Sequence, residues 1–102
     1  MYLIEFLVPV FDNEGRRFDK AEFDDLRREL TDRFGGVTAF SRSPAVGLWA
    51  DEGGQIRKDD LALFEVMADT LDREWWQDYR KALERRFRQQ EIVMRATHVV
   101  RL

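Results

Sequence analysis

Tyr2-Leu3-Ile4-Glu5-Phe6-Leu7-Val8-Pro9-Val10 is the stretch that decides the fold. At the two-residue period of a strand, Tyr2, Ile4, Phe6, Val8 and Val10 make one wholly apolar face. Leu3, Glu5, Leu7 and Pro9 make the other. A strand apolar on one side and mostly apolar on the other belongs in the middle of a sheet. Pro9 has no amide hydrogen for a ladder, so it marks where pairing on one side ends. The strand is expected over residues 2–11, followed by turn chemistry at Asp12-Asn13-Glu14-Gly15.

A helix comes next. Asp19 is placed to cap it, and Glu22 completes a capping-box pattern with aspartate in the usual Ser/Thr position. Phe18 and Phe23 have the spacing of a hydrophobic staple. Phe23, Leu26, Leu30 and Phe34 form one stripe for a core. Asp24–Arg28 and Glu29–Arg33 are expected as i,i+4 pairs on the outer face, and Gly35 ends the helix in the left-handed conformation.

Beyond it, residues 37–42 read as a strand, interrupted by Ser43-Pro44. Residues 46–50 and 55–57 flank Asp51-Glu52-Gly53-Gly54, a hairpin signal. Lys58-Asp59-Asp60 is a polar bend. Leu61-Ala62-Leu63-Phe64-Glu65-Val66-Met67 is an apolar run with one glutamate, which fits an inner strand. A second helix is expected over residues 72–89, with Asp72 as its cap, Leu71 and Trp76 as a staple, and Trp76, Tyr79, Leu83 and Phe87 as its apolar stripe. Only one of Trp75 and Trp76 can face the core fully. Residues 92–102 alternate as a last strand.

The order is strand, helix, strand, hairpin, strand, helix, strand. Without the hairpin this is the β-α-β-β-α-β pattern of an α+β, ferredoxin-like sandwich: an antiparallel sheet with two helices on one face. The strands at 2–11 and 61–67 then lie side by side in the centre, with the last strand beside the first.

That arrangement leaves one sheet face without helices. Glu65 does not suit a core, so the open face is expected to carry Leu3, Glu5 and Leu7, then Leu61, Leu63, Glu65 and Met67, then Arg95, Thr97, Val99 and Arg101. A monomer rarely leaves an apolar patch beyond roughly several hundred Å² in water. One reading is a homodimer closed through this face, with Glu5, Glu65 and Arg95 satisfying one another. The other is a small-molecule cleft in which the paired carboxylates perturb each other.

Other candidates are fewer. His98, the single histidine, is either a hydrogen-bonded residue at the core edge or a general acid/base. Trp49, beside Asp51 and Glu52, either packs on its own sheet or a partner or forms a lid over a pocket; Arg42 is a further ligand or interface candidate. No serine or cysteine motif supports a triad. One histidine and no cysteine make a metal site a poor fit, and no cofactor is expected.

A chain of 102 residues is most simply one domain, 1–102. The absence of cysteine excludes disulfides and thiolate chemistry and fits a reducing cytoplasm. The apolar start has no basic region before it and is too short to span a bilayer, so no membrane partner is expected. A net charge of −3 argues against nucleic acid. From Arg80 onward basic residues outnumber acids, which reads as a solvated helix face.

Phe34-Gly35-Gly36-Val37-Thr38, Gly47-Leu48-Trp49-Ala50-Asp51 and Gly54-Gln55-Ile56 together resemble small uncharacterised bacterial proteins of ferredoxin-like type, a group that brings no activity with it. The wider topology is similar to the dimeric α+β barrel superfamily, which includes small-molecule monooxygenases, isomerases and non-enzymatic ligand sensors. The expectation is therefore a cytosolic, homodimeric ligand- or protein-binding domain. The alternative is a small cofactor-independent enzyme in which His98 works with a carboxylate or with Trp49.

Overall fold

A computed structural model of the chain describes residues 1–36, 38–42 and 61–102, the strand residues 38–42 through their backbone. The hairpin expected between residues 46 and 57, Trp49 and the bend at 58–60 lie outside the described residues. The described elements are β1 (Tyr2–Pro9), α1 (Lys20–Phe34), β2 (Thr38–Arg42), β3 (Leu61–Ala68), α2 (Arg73–Arg86) and β4 (Met94–His98).

The described residues form an α+β, two-layer sandwich of one antiparallel sheet and two helices. The sheet order is β2-β3-β1-β4, and β1 pairs antiparallel with both β3 and β4. Its two-sided apolarity is thus explained by its central place. Ile4, Phe6 and Val8 join Phe64 and Val66 under Leu26 and Leu30 of α1 and Trp76 and Leu83 of α2 in one core cluster. Both helices therefore cover the same sheet face. Phe6 stacks on Phe64 with ring centroids 5.3 Å apart, an arrangement favoured by offset aromatic pairs.

Both helical stripes meet that core, but the helix ends differ from the sequence expectation. Asp72 does cap α2, accepting from the Trp75 N–H at 3.1 Å. Asp19 precedes α1 without a side-chain capping bond, and Glu22 does not close a box, for its Oε2 is buried with no hydrogen-bond partner among the described residues. The outer-face pairs of α1 form at i,i+3: Arg28–Asp25 at 2.7 Å and Arg27–Asp24 at 3.6 Å. Glu29 and Arg33 instead turn to α2, Glu29 to Arg86 and Arg33 over the Trp75 ring at 4.2 Å. Packing between the helices outbids a solvent-exposed pair worth only a few tenths of a kcal/mol. Gly35 ends α1 at φ 80°, with its N–H bonded to the Thr31 carbonyl, as the left-handed cap requires.

Of Trp75 and Trp76, it is Trp76 that is buried. Trp75 fills the seam between the helices, edge-on to Phe34 and stacked on Tyr79. The last strand is shorter than the alternation suggested and ends at His98.

Candidate functional site

Register places the open-face residues in rows. Glu65 is opposite Glu5, and Glu5 is opposite Arg95. Met67, Leu3 and Thr97 form the next row on one side, and Leu63 faces Leu7 on the other. Arg95 donates Nε to Glu5 Oε1 at 3.0 Å, with side chains 57% and 18% exposed. A pair so wet on one side contributes at most about 1 kcal/mol. The apolar part of the face is uneven: Leu63 is 2% exposed, whereas Met67 is 44% exposed. Arg42 occupies the β2 position paired with Leu61. Val99 and Arg101, expected on this face, lie beyond the end of β4.

His98 belongs elsewhere. Its register partner is Tyr2, and the two rings meet edge-on at 5.2 Å on the helix side of the sheet. Successive strand residues point to opposite faces, so the sheet stands between His98 and the Glu5–Glu65 row. The imidazole is exposed at the strand end, and no hydrogen bond joins it to a carboxylate among the described residues. The structure thus brings Glu5, Glu65 and Arg95 together and sets His98 apart.

The basic excess after Arg80 is largely answered by acids. Arg86 Nη1 reaches both Glu29 oxygens, at 2.9 and 2.7 Å. The Tyr79 hydroxyl lies 3.5 Å from the same carboxylate. Burial, reinforced by the Glu29 charge, raises the Tyr79 phenol well above its ordinary value of 10.0. Arg88 pairs with Asp12 at 3.4 Å. The Asp12 carboxylate also accepts the backbone N–H groups of Arg16 and Glu14, at 2.8 and 2.9 Å. The Arg16 bond leads in holding Asp12 below the ordinary 3.8. These contacts tie the 12–16 turn and the C-terminal end of α2 together and account for much of the charge without invoking a ligand.

One concave feature escaped the sequence reading. A groove of about 160 Å³ lies between α2 and the outer edge of β4, with Ile4, Trp76 and Met94 as its apolar part and Arg73, Gln77, Arg80 and Arg95 around it. His98 does not line it. The available signal was the Arg73, Gln77, Arg80 spacing, which puts three polar side chains on one helix face. What that face meets depends on the tertiary fold.

Among the described residues no group of three His, Cys, Asp or Glu side chains could hold a metal ion, and no helix is long and apolar enough to cross a membrane. No family model matches the chain, and neither a curated protein nor a solved structure does.

Proposed function

We propose that this chain is a cytosolic domain of ferredoxin-like fold that forms a homodimer through its open sheet face and uses that assembly to bind a small molecule or a protein partner. The strand order β2-β3-β1-β4, antiparallel throughout, with both helices packed on one face, supports the fold. The observation that carries the functional reading is the composition of the other face. Leu3, Leu7 and Met67 surround the Glu65–Glu5–Arg95 row, and Met67 stands 44% exposed. Apolar side chains at the centre of a sheet gain by leaving water, at about 25 cal/mol per Å² covered. A two-fold partner offers each face its own complement, and the Glu5–Arg95 pair then lies at the interface with its charges already matched.

Leu7→Asp tests this. The variant places a carboxylate in the middle of the proposed contact, and light scattering should report the monomer mass where the parent chain gives the dimer. A parent chain that is monomeric at every concentration, or a variant that stays dimeric, overturns the reading.

A further inference from the structure

We propose that the outer edge of β4, with the groove beside the first half of α2, takes an extended acidic segment of a partner protein as an added strand. This surface is separate from the open face and stands whether or not that face dimerises.

The backbone supplies the first argument. Among the described residues β4 is the edge strand of the sheet and pairs with β1 alone. Val93 gives its carbonyl to the Leu7 N–H at 3.2 Å, and Val99 donates its N–H to the Met1 carbonyl at 2.9 Å. In an antiparallel ladder successive residues turn their peptide groups to opposite sides. Arg95 and Thr97 therefore also face β1, and the N–H and C=O groups of Met94, Ala96 and His98 face outward. Among the described residues no strand takes them up. Such an edge is a template for a further strand, and peptide recognition by strand addition draws its affinity from these bonds.

The side chains say which peptide. Arg73, Arg80 and Arg95 line the groove and no acidic residue does. Arg80 commits Nη1 to Glu84, and a guanidinium has five N–H donors, so it retains others. Arg73 makes no ion pair among the described residues. An added strand would send alternate side chains toward the helix layer. Carboxylates there meet the guanidiniums of Arg73 and Arg80 on α2, and their methylenes meet Trp76 and Met94; Arg95 turns its side chain to the other sheet face, where it holds Glu5. Charge also argues against a second copy at this edge, because two-fold pairing would set the arginine-lined surface against itself.

The test uses the full chain, labelled for NMR, and a capped five-residue peptide of alternating valine and glutamate. Saturable shifts and slowed amide exchange are expected at Met94, Ala96 and His98, with a shift of the Trp76 indole. The same peptide with lysine for glutamate should bind at least about tenfold more weakly, and Arg73→Glu should cost about tenfold for the acidic peptide. Ala96→Pro removes an outward N–H that no described residue uses, a change that edge strands tolerate, and should abolish binding. If that variant fails to fold, Arg73→Glu and the amide map still decide. The proposal is overturned by the absence of saturable shifts, by equal binding of the lysine peptide, or by shifts confined to Leu3, Leu7 and Met67. Self-association of the chain that Ala96→Pro dissolves would also overturn it, by assigning the edge to a second copy.

Discussion

Glu5 stands directly opposite Glu65 in the central strand pair, and it is Glu5 that takes the Arg95 guanidinium. Like charges facing each other across a ladder are unfavourable by a few tenths to about 1 kcal/mol. Arg95 offsets that by neutralising one of them. Arg95→Gln should lower stability in urea by roughly 0.5–1 kcal/mol, and the loss should narrow at high salt, where both attraction and repulsion are screened. An unchanged midpoint would mean the row is held apart by something other than Arg95.

Glu84 links α2 to the approach of β4, accepting from Arg80 Nη1 and from the Ile92 N–H, both at 2.9 Å. Ile92 is buried, so removing its acceptor leaves a donor without water or protein. Glu84→Ala should cost about 1–3 kcal/mol, and Glu84→Gln, which keeps an acceptor oxygen, should recover part of it. Urea unfolding of the two variants side by side checks the order.

Asp12 is held below 3.8 chiefly by the Arg16 N–H, with the Glu14 N–H and the Arg88 charge assisting. A carboxyl with a depressed folded-state value contributes stability above its unfolded value and loses it as pH falls through the folded one. Asp12→Ala should therefore be clearly less stable than the parent near neutral pH. The gap should close only as the pH is taken below 3.8. A gap that is constant with pH would show that the turn is held by its backbone alone.

Tyr79 is shifted in the opposite sense. Burial first and the Glu29 charge second favour the protonated phenol, so its stabilising contribution is whole below 10.0 and is lost as pH rises beyond it. In a Tyr2→Phe background, ultraviolet titration should show no phenolate at the ordinary tyrosine value until the chain unfolds. Tyr79→Phe should lose less stability than its parent over the same alkaline range.

The fold was legible wherever apolar periodicity ran long enough to name a face. Tyr2–Val10 announced a central strand, and the Phe23–Phe34 and Trp76–Phe87 stripes announced helices over one core. The outer faces were less legible because their partners come from distant positions. Helical spacing points Glu29 to Arg33, yet it binds Arg86 across the helix seam; Arg88 finds Asp12 in the same way. The Glu5, Glu65 and Arg95 row could be read because a single register assumption fixed all three. The β4-edge groove could not, since neither α2 nor β4 carries its shape alone. The alternation after Ile92 promises a strand to Leu102, but β4 ends at His98, and pairing with the first strand stops at the bond from the Val99 N–H to the Met1 carbonyl.

The central place of β1 also governs how the chain is made. It leaves the ribosome before the strands on either side of it, and its bond to Arg95 spans 90 positions. Until β3 and β4 emerge, Ile4, Phe6 and Val8 have no sheet to join. Closing loops of that length precedes any reward from the contacts they permit, which slows folding. Nascent chains halted before β3 should thus be the species that chaperones hold and that aggregate when chaperones are scarce.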